Sequence, residues 1–220
     1  MERHIWPEDI QTARRIQIEL SRRVTICPLR KRPSLIAGVD AAFCGESVIA
    51  VASVFAYPSL IHRYDATSQE DVRFPYIPGL LSFREGQAFI SAIKKLKPIP
   101  DVIIVDGQGI AHPLGIGIAS HIGVLLGIPT IGCAKTRLVG EHAEPGPKRG
   151  QWTPLTYKKE RIGAVLRTRD GVKPVFVSPG NLIDLDSSIE IVLHSLTRYR
   201  LPEPIRRADR LSKELSKRNV

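Results

Sequence analysis

The stretch Asp101–Pro113, DVIIVDGQGIAHP, constrains the fold more than any other part of this 220-residue chain. Val102, Ile103, Ile104 and Val105 form an unbroken β-branched run, which describes a strand buried on both faces. The run stops at Asp106, and Gly107, Gln108, Gly109, Ile110, Ala111, His112 and Pro113 follow at once. A carboxylate at the carboxyl end of a buried strand, with glycines just beyond it, is where open α/β sheets hold their ligands. The alternative is that Asp106 only starts a turn, as aspartate commonly does. Its neighbours decide between the two.

Leu35–Phe43 (LIAGVDAAF) and Val48–Tyr57 (VIAVASVFAY) are apolar strands separated by a turn at Gly45, and Leu60–Ser68 is a third, more polar one. Three strands in succession on short turns make an antiparallel meander. Asp40 lies inside the first. Burying an unpaired carboxylate costs several kcal/mol, so Asp40 needs a cation, a hydrogen-bond network or a pleat position facing water.

Helical spacing predicts an amphipathic helix over 8–24, with Ala13, Ile16, Leu20 and Val24 on one side. Leu81–Leu96 is a second helix, whose Ser82 and Glu85 fit an S-x-x-E capping box. Glu85 could therefore bond back to the helix start or reach a metal. Ile116–Leu126 reads as a crossover helix ended by Gly127, and Pro129–Ala134 as the next parallel strand. The expected order over 101–134 is β-α-β-α-β, which after the meander gives a mixed sheet. Residues 141–156 read as a long loop, and Arg161–Arg167 and Lys173–Ser178 as a hairpin around 168–171. Ser178–Asn181 reads as a turn, Ser187–Tyr199 as a helix with a capping box at Ser187 and Glu190, and Glu203–Arg218 as a basic helix. No internal repeat or boundary interrupts 1–220, so a single domain is expected.

Lys and Arg outnumber Asp and Glu by 32 to 22, and a pI near 9.8 favours a polyanionic partner. No apolar run reaches membrane-spanning length and the start carries no signal-peptide core, so a cytoplasmic protein without membrane contact is expected. Cys27, Cys44 and Cys133 are too few and too scattered for a disulfide framework or a zinc site. No coiled-coil pattern asks for a partner subunit, and a monomer is expected. Phe74-Pro75-Tyr76-Ile77-Pro78-Gly79 is a stiff segment that cannot pair as an interior strand. Tyr76 either stacks on a nucleic-acid base or pins the loop to the core.

Asp40, Glu85 and Asp106 come from separate elements that a mixed sheet could bring together. Such a cluster repels itself unless a divalent cation neutralises it, and all-oxygen ligands suit hard ions such as Mg2+ or Mn2+. Lys135, at the carboxyl edge of the next strand, would share the rim with Asp106. Carboxylates holding Mg2+ beside a lysine and a histidine, in a basic protein, point to phosphodiester cleavage.

The combination GVDAAF (38–43), FPYIPGLLSFREG (74–86), VDGQGIAHP (105–113), GIGIAS (115–120) and IGCAKTRLVG (131–140) closely resembles endonuclease V, the deoxyinosine-directed repair nuclease family. The resemblance runs collinearly over roughly residues 10–210. It implies a ribonuclease H-like α/β fold, in which a mixed central sheet of an antiparallel meander and then parallel strands carries flanking helices. It implies Asp40 and Asp106 as ligands of Mg2+ (Mn2+ substituting), with Glu85 completing the acidic cluster. Tyr76, framed by Pro75, Ile77 and Pro78, becomes a wedge entering the duplex. Leu81, Gly107, Gly117, Ile118 and Gly132 become the pocket for the flipped base, and His112 and Lys135 the polar helpers at the scissile phosphate. A near-terminal polar position falls on Asp209, in RRADRLS, as a fourth acidic contributor. The implied reaction nicks DNA at the second phosphodiester 3′ of deoxyinosine, leaving 3′-hydroxyl and 5′-phosphate ends. Inosine-containing RNA is the alternative substrate. A non-catalytic binder of damaged or branched nucleic acid is the alternative from another class.

Overall fold

The computed structural model describes residues 4–218. Helix α1 (Ile10–Ser21) starts at Asp9, whose side chain accepts from the Thr12 N–H at 2.8 Å. The meander follows as β1 (Leu35–Cys44), β2 (Ser47–Ala56) and β3 (His62–Asp71), each antiparallel to the one before. Helix α2 (Leu81–Lys94) leads to β4 (Val102–Val105), parallel to β1, and α3 (Ile118–Leu126) leads to β5 (Thr130–Ala134), parallel to β4. Then come β6 (Trp152–Tyr157), β7 (Glu160–Leu166), β8 (Val175–Asn181), α4 (Leu185–His194) and α5 (Glu203–Arg218). The eight strands form one mixed sheet in the order β3-β2-β1-β4-β5-β8-β7-β6. The free cysteines are Cys27, Cys44 and Cys133. Among the described residues no helix is long and apolar enough to cross a membrane.

Strand alternation divides the core into two layers. Ile36, Ile104, Ile131, Cys133 and Val177 face α4 and Ile205 of α5. Ala37, Val39, Ile103 and Val105 face Phe89 and Ile93 of α2 and Ile122 of α3. Gly127, at φ +66°, ends α3 in the left-handed conformation that glycine adopts without strain.

Four expectations about local structure need correction. Neither capping box forms. Helix α2 begins after Leu80 with no side-chain cap, and Ser82 sits inside it bonded to His121 Nδ1 at 3.0 Å. Helix α4 is capped by Asp184, which accepts from the Ser187 N–H at 2.8 Å. The 141–156 segment ends in strand β6, a hairpin partner of β7. Ser178–Asn181 is not a turn but the end of β8. Pro179 is tolerated there because β7 stops pairing at Val177 and the β5 register shifts between Thr130 and Ile131. Finally, 101–134 holds one crossover, β4-α3-β5, rather than two.

Candidate functional site

The parallel pairing of β1 with β4 sets Val39 level with Val105, and the Asp106 N–H bonds the Val39 carbonyl at 3.1 Å. Asp40 and Asp106 are therefore neighbours at the same height on adjacent strands. Alternation from Ile36 and Ile104 turns both toward the face that α5 covers. Helix α5 seats on that face through Gly38, where an added Cβ would lie 2.1 Å from the Pro204 carbonyl carbon. From that seat, two residues of strand rise about 6.6 Å to Asp40. Five residues of helix rise about 7.5 Å, from Pro204 to Asp209. The two rises match, and Asp209 arrives over Asp40. One carboxylate oxygen each from Asp40, Asp106 and Asp209 lies within 4.8 Å of the others. Arg207 locks the helix laterally with paired bonds to Asp65 of β3, at 2.6 and 2.9 Å.

Lysines balance this charge. Lys135 Nζ bonds Asp106 Oδ2 and lies 3.6 Å from Asp209 Oδ1. Lys213, one turn beyond Asp209, reaches both its oxygens at 2.8 and 2.9 Å. Asp40 accepts from the Ala41 N–H at 2.8 Å. Burial, with repulsion from Asp106, still pushes its carboxyl up to about 8. Burial also acts on Asp209, but the bonds from Lys213 and Asp40 outweigh it and hold this carboxyl below its ordinary value. The Lys135 ammonium loses stability by burial and regains more from Asp106, so its pKa is raised.

Asp209 thus joins Asp40 and Asp106, and Glu85 is not among the three. Glu85 stands on α2, which packs on the opposite face of the sheet, yet its carboxyl feels the charge of Asp106. Burial raises its carboxyl to about 7, Arg84 opposes the shift, and the charge of Asp106 adds to it. His112 borders the hollow that Asp106 and Lys135 also line. It is buried, its Nε2 bonds the Gly79 carbonyl at 2.8 Å, and its Nδ1 accepts the Leu114 N–H at 3.1 Å. Both ring nitrogens are engaged by backbone, so it also braces the 74–79 loop.

Beside the cluster is a hollow of about 280 Å³ lined by Gly79, Leu81, Ser82, Asp106, Gly107, Gln108, His112, Gly117, Ile118 and the 135–138 segment. Four of the five expected pocket residues line it. Gly132 does not. It lies under the 107–109 loop, where a Cβ would meet the Gly109 nitrogen at 2.2 Å. Gln108 donates Nε2 to the Thr136 carbonyl at 2.9 Å, and its buried Oε1 has no donor among the described residues. Tyr76 is 68% exposed, which rules out the core-pin reading. Pro75 and Pro78 are exposed too, while Ile77 packs against the Phe74–Phe83 cluster. The Gly79 carbonyl accepts from both Gln17, at 2.7 Å, and His112, so the loop is held at its base.

Sequence reasoning missed Lys213 and Gln108 and gave Asp209 too little weight. The available signal was an aspartate in a basic helix, beside its buried stripe of Ile205, Ala208 and Ser212.

Could this cluster hold a cation? Three oxygens converge from three backbone elements, and the most buried of the carboxyls resists ionising. That donor set fits a hard divalent ion, which would relieve the repulsion.

Fold and site together define a ribonuclease H-like α/β protein with a carboxylate cluster at the strand ends. A model of the endonuclease V family matches residues 18–210. Endonuclease V of Geotalea uraniireducens is 49% identical over 218 residues, 99% of this chain and 93% of that one. The crystal structure of endonuclease V from Streptomyces avermitilis superposes with a TM-score of 0.92 at 41% identity, covering 97% of this chain and 95% of the other. That of Ciona intestinalis endonuclease V, in complex with a 24mer DNA containing an inosine followed by a ribo-adenosine, gives 0.82 at 28% identity, covering 94% and 97%. The chain belongs to the endonuclease V family, and it is a nuclease.

Proposed function

We propose that the protein is a divalent-metal-dependent endonuclease that nicks DNA at the second phosphodiester 3′ of deoxyinosine, leaving a 3′-hydroxyl and a 5′-phosphate. The observation that carries this reading is the convergence of Asp40, Asp106 and Asp209 beside a small hollow. These three carboxylates would hold Mg2+ or Mn2+, with Glu85 bordering them from α2. The ion supplies water activation and stabilisation of the leaving oxygen.

The chain's own residues do the rest. In the hydrolysis a water oxygen bonds to phosphorus, the P–O3′ bond breaks, and O3′ takes a proton. Lys135, beside Asp106, offsets charge building on the phosphate. Tyr76 enters the stack from its braced loop. Extruding a base costs a few kcal/mol and is easiest where pairing is poor, as with a deaminated purine. The hollow sits just below the usual range for ligand pockets of about 300–1,000 Å³. Gly107 and Gly117 form its wall, so backbone rather than side chains would meet the base edge. The unsatisfied Gln108 oxygen supports a ligand bearing an N–H donor.

Incubation with Mg2+ and an end-labelled duplex carrying one deoxyinosine tests this directly. We expect a nick one nucleotide beyond the 3′ neighbouring bond, absent with EDTA and at least 100-fold slower in Asp40→Asn or Asp106→Asn. No nick, or undiminished nicking by either variant, overturns it. Inosine-containing RNA is the second reading, favoured by the ribo-adenosine beside the inosine in the Ciona complex. Parallel assays on matched RNA and DNA strands separate the two.

A further inference from the structure

Lys213 binds Asp209 in a way that conflicts with Asp209's use as a ligand. Its Nζ sits 2.8 and 2.9 Å from the two carboxylate oxygens, so a positive charge already stands against the group a cation would bind. Lys135 behaves differently: it is bonded to Asp106 at a strand end, with 40% of its side chain exposed against 60% for Lys213. A solvent-exposed pair at i,i+4 is worth only about 0.3–0.5 kcal/mol. A divalent ion therefore displaces the Lys213 ammonium at small cost, and its four-carbon stem lets it swing clear. Charge counting gives it a destination. With a divalent ion bound and all three carboxylates ionised to hold it, the ion and the two ammoniums leave the rim with one positive charge. A released Lys213 then stands as surplus cation at the edge of the site.

We propose that Lys213 is an exchangeable counter-ion. It holds Asp209 while the cluster lacks a divalent cation. When the cation takes Asp209, Lys213 transfers to a phosphate of the nucleic-acid strand. The device couples ion loading to strand affinity, so the protein grips a strand most tightly when it is able to cut it. The second half of this inference rests on the nuclease reading above; the first half does not.

Two measurements test it, each with Arg210→Gln as control. That variant removes one charge from the same helix, where Arg210 faces Glu214 at 3.8 Å and not the cluster. In the first, Mn2+ alone is titrated and free Mn2+ is read by electron paramagnetic resonance. Lys213→Gln is expected to bind Mn2+ about twofold more tightly, the fold-change to which about 0.3–0.5 kcal/mol corresponds, with Arg210→Gln staying near wild type. Equal or weaker binding by Lys213→Gln, or equal tightening in the control, overturns the proposal. In the second, fluorescence anisotropy follows binding of an undamaged duplex across salt concentrations, with Mg2+ and with EDTA. Lys213→Gln is expected to lower the log–log salt slope by about 0.9, one phosphate's worth, in Mg2+ only. A difference that is absent, or identical in EDTA, overturns the transfer. The Mn2+ arm needs no nucleic acid, so failure of the nuclease reading would leave it standing.

Discussion

His112 shows how a residue that lines a site can also hold the loop beside it. Its two nitrogens are spent on Gly79 and Leu114, and burial lowers its pKa below the ordinary histidine value, against the opposing Gly79 bond. A general base contributes about 10²–10⁴-fold. We therefore expect His112→Gln to slow nicking by about tenfold and to leave the acid limb of kcat/KM unmoved. A loss in the thousands with a vanished limb would make it the base. Asp40 and Asp106 were legible in the sequence because a carboxylate among β-branched residues has few harmless explanations. Lys135 was legible from its strand-end position. Helix numbering alone does not say which face of the sheet the helix of Glu85 covers. Nor do letters tell a glycine that admits a ligand from one that, like Gly132, admits a neighbouring loop.

At the scale of elements, the meander and the β4-α3-β5 crossover followed from apolar runs and punctuating glycines, while the second crossover expected over 101–134 is absent among the described residues. What stayed hidden depended on tertiary partners. Ser82 was claimed by His121 rather than by its own helix, and Pro179 was housed at a pairing gap that only the finished sheet contains. Helix α5 is the element on which the site turns, and its seat is Gly38. A methyl there meets backbone of Pro204 and Ile205 at 2.1–2.3 Å, and backbone cannot rotate away. Gly38→Ala is expected to cost about 2–3 kcal/mol, in the range of overpacked cores. It should also lift Asp209 from Asp40 and so weaken Mn2+ binding. Urea denaturation and metal titration check the two effects separately. Full metal affinity in a destabilised variant would mean that α5 is aligned from elsewhere.

Across the whole molecule, stability should carry the mark of His121. It is fully buried between α2 and α3, stacked on Trp6, with Nε2 3.3 Å from His4. Burial, then repulsion from His4, lowers its pKa to about 3. An unfolded histidine takes its proton near pH 6.5. Between those values the unfolded chain holds one more proton than the native one. Stability is thus full above about pH 6.5 and falls with acidification, by at most about 1.4 kcal/mol per pH unit from this group. Denaturation curves between pH 7.5 and 4.5 should show a shallower decline for His121→Gln than for wild type. Identical slopes would place the acid sensitivity elsewhere. The same long-range architecture governs when the protein becomes dangerous to its substrate. Two of the three carboxylates are supplied by neighbouring strands, but the third arrives from residue 209 on a helix held by Gly38 and Asp65. A proteolytic cut in the 195–202 connection could therefore disarm the enzyme while leaving Asp40 and Asp106 chemically untouched. A half-synthesised chain, likewise, carries no blade.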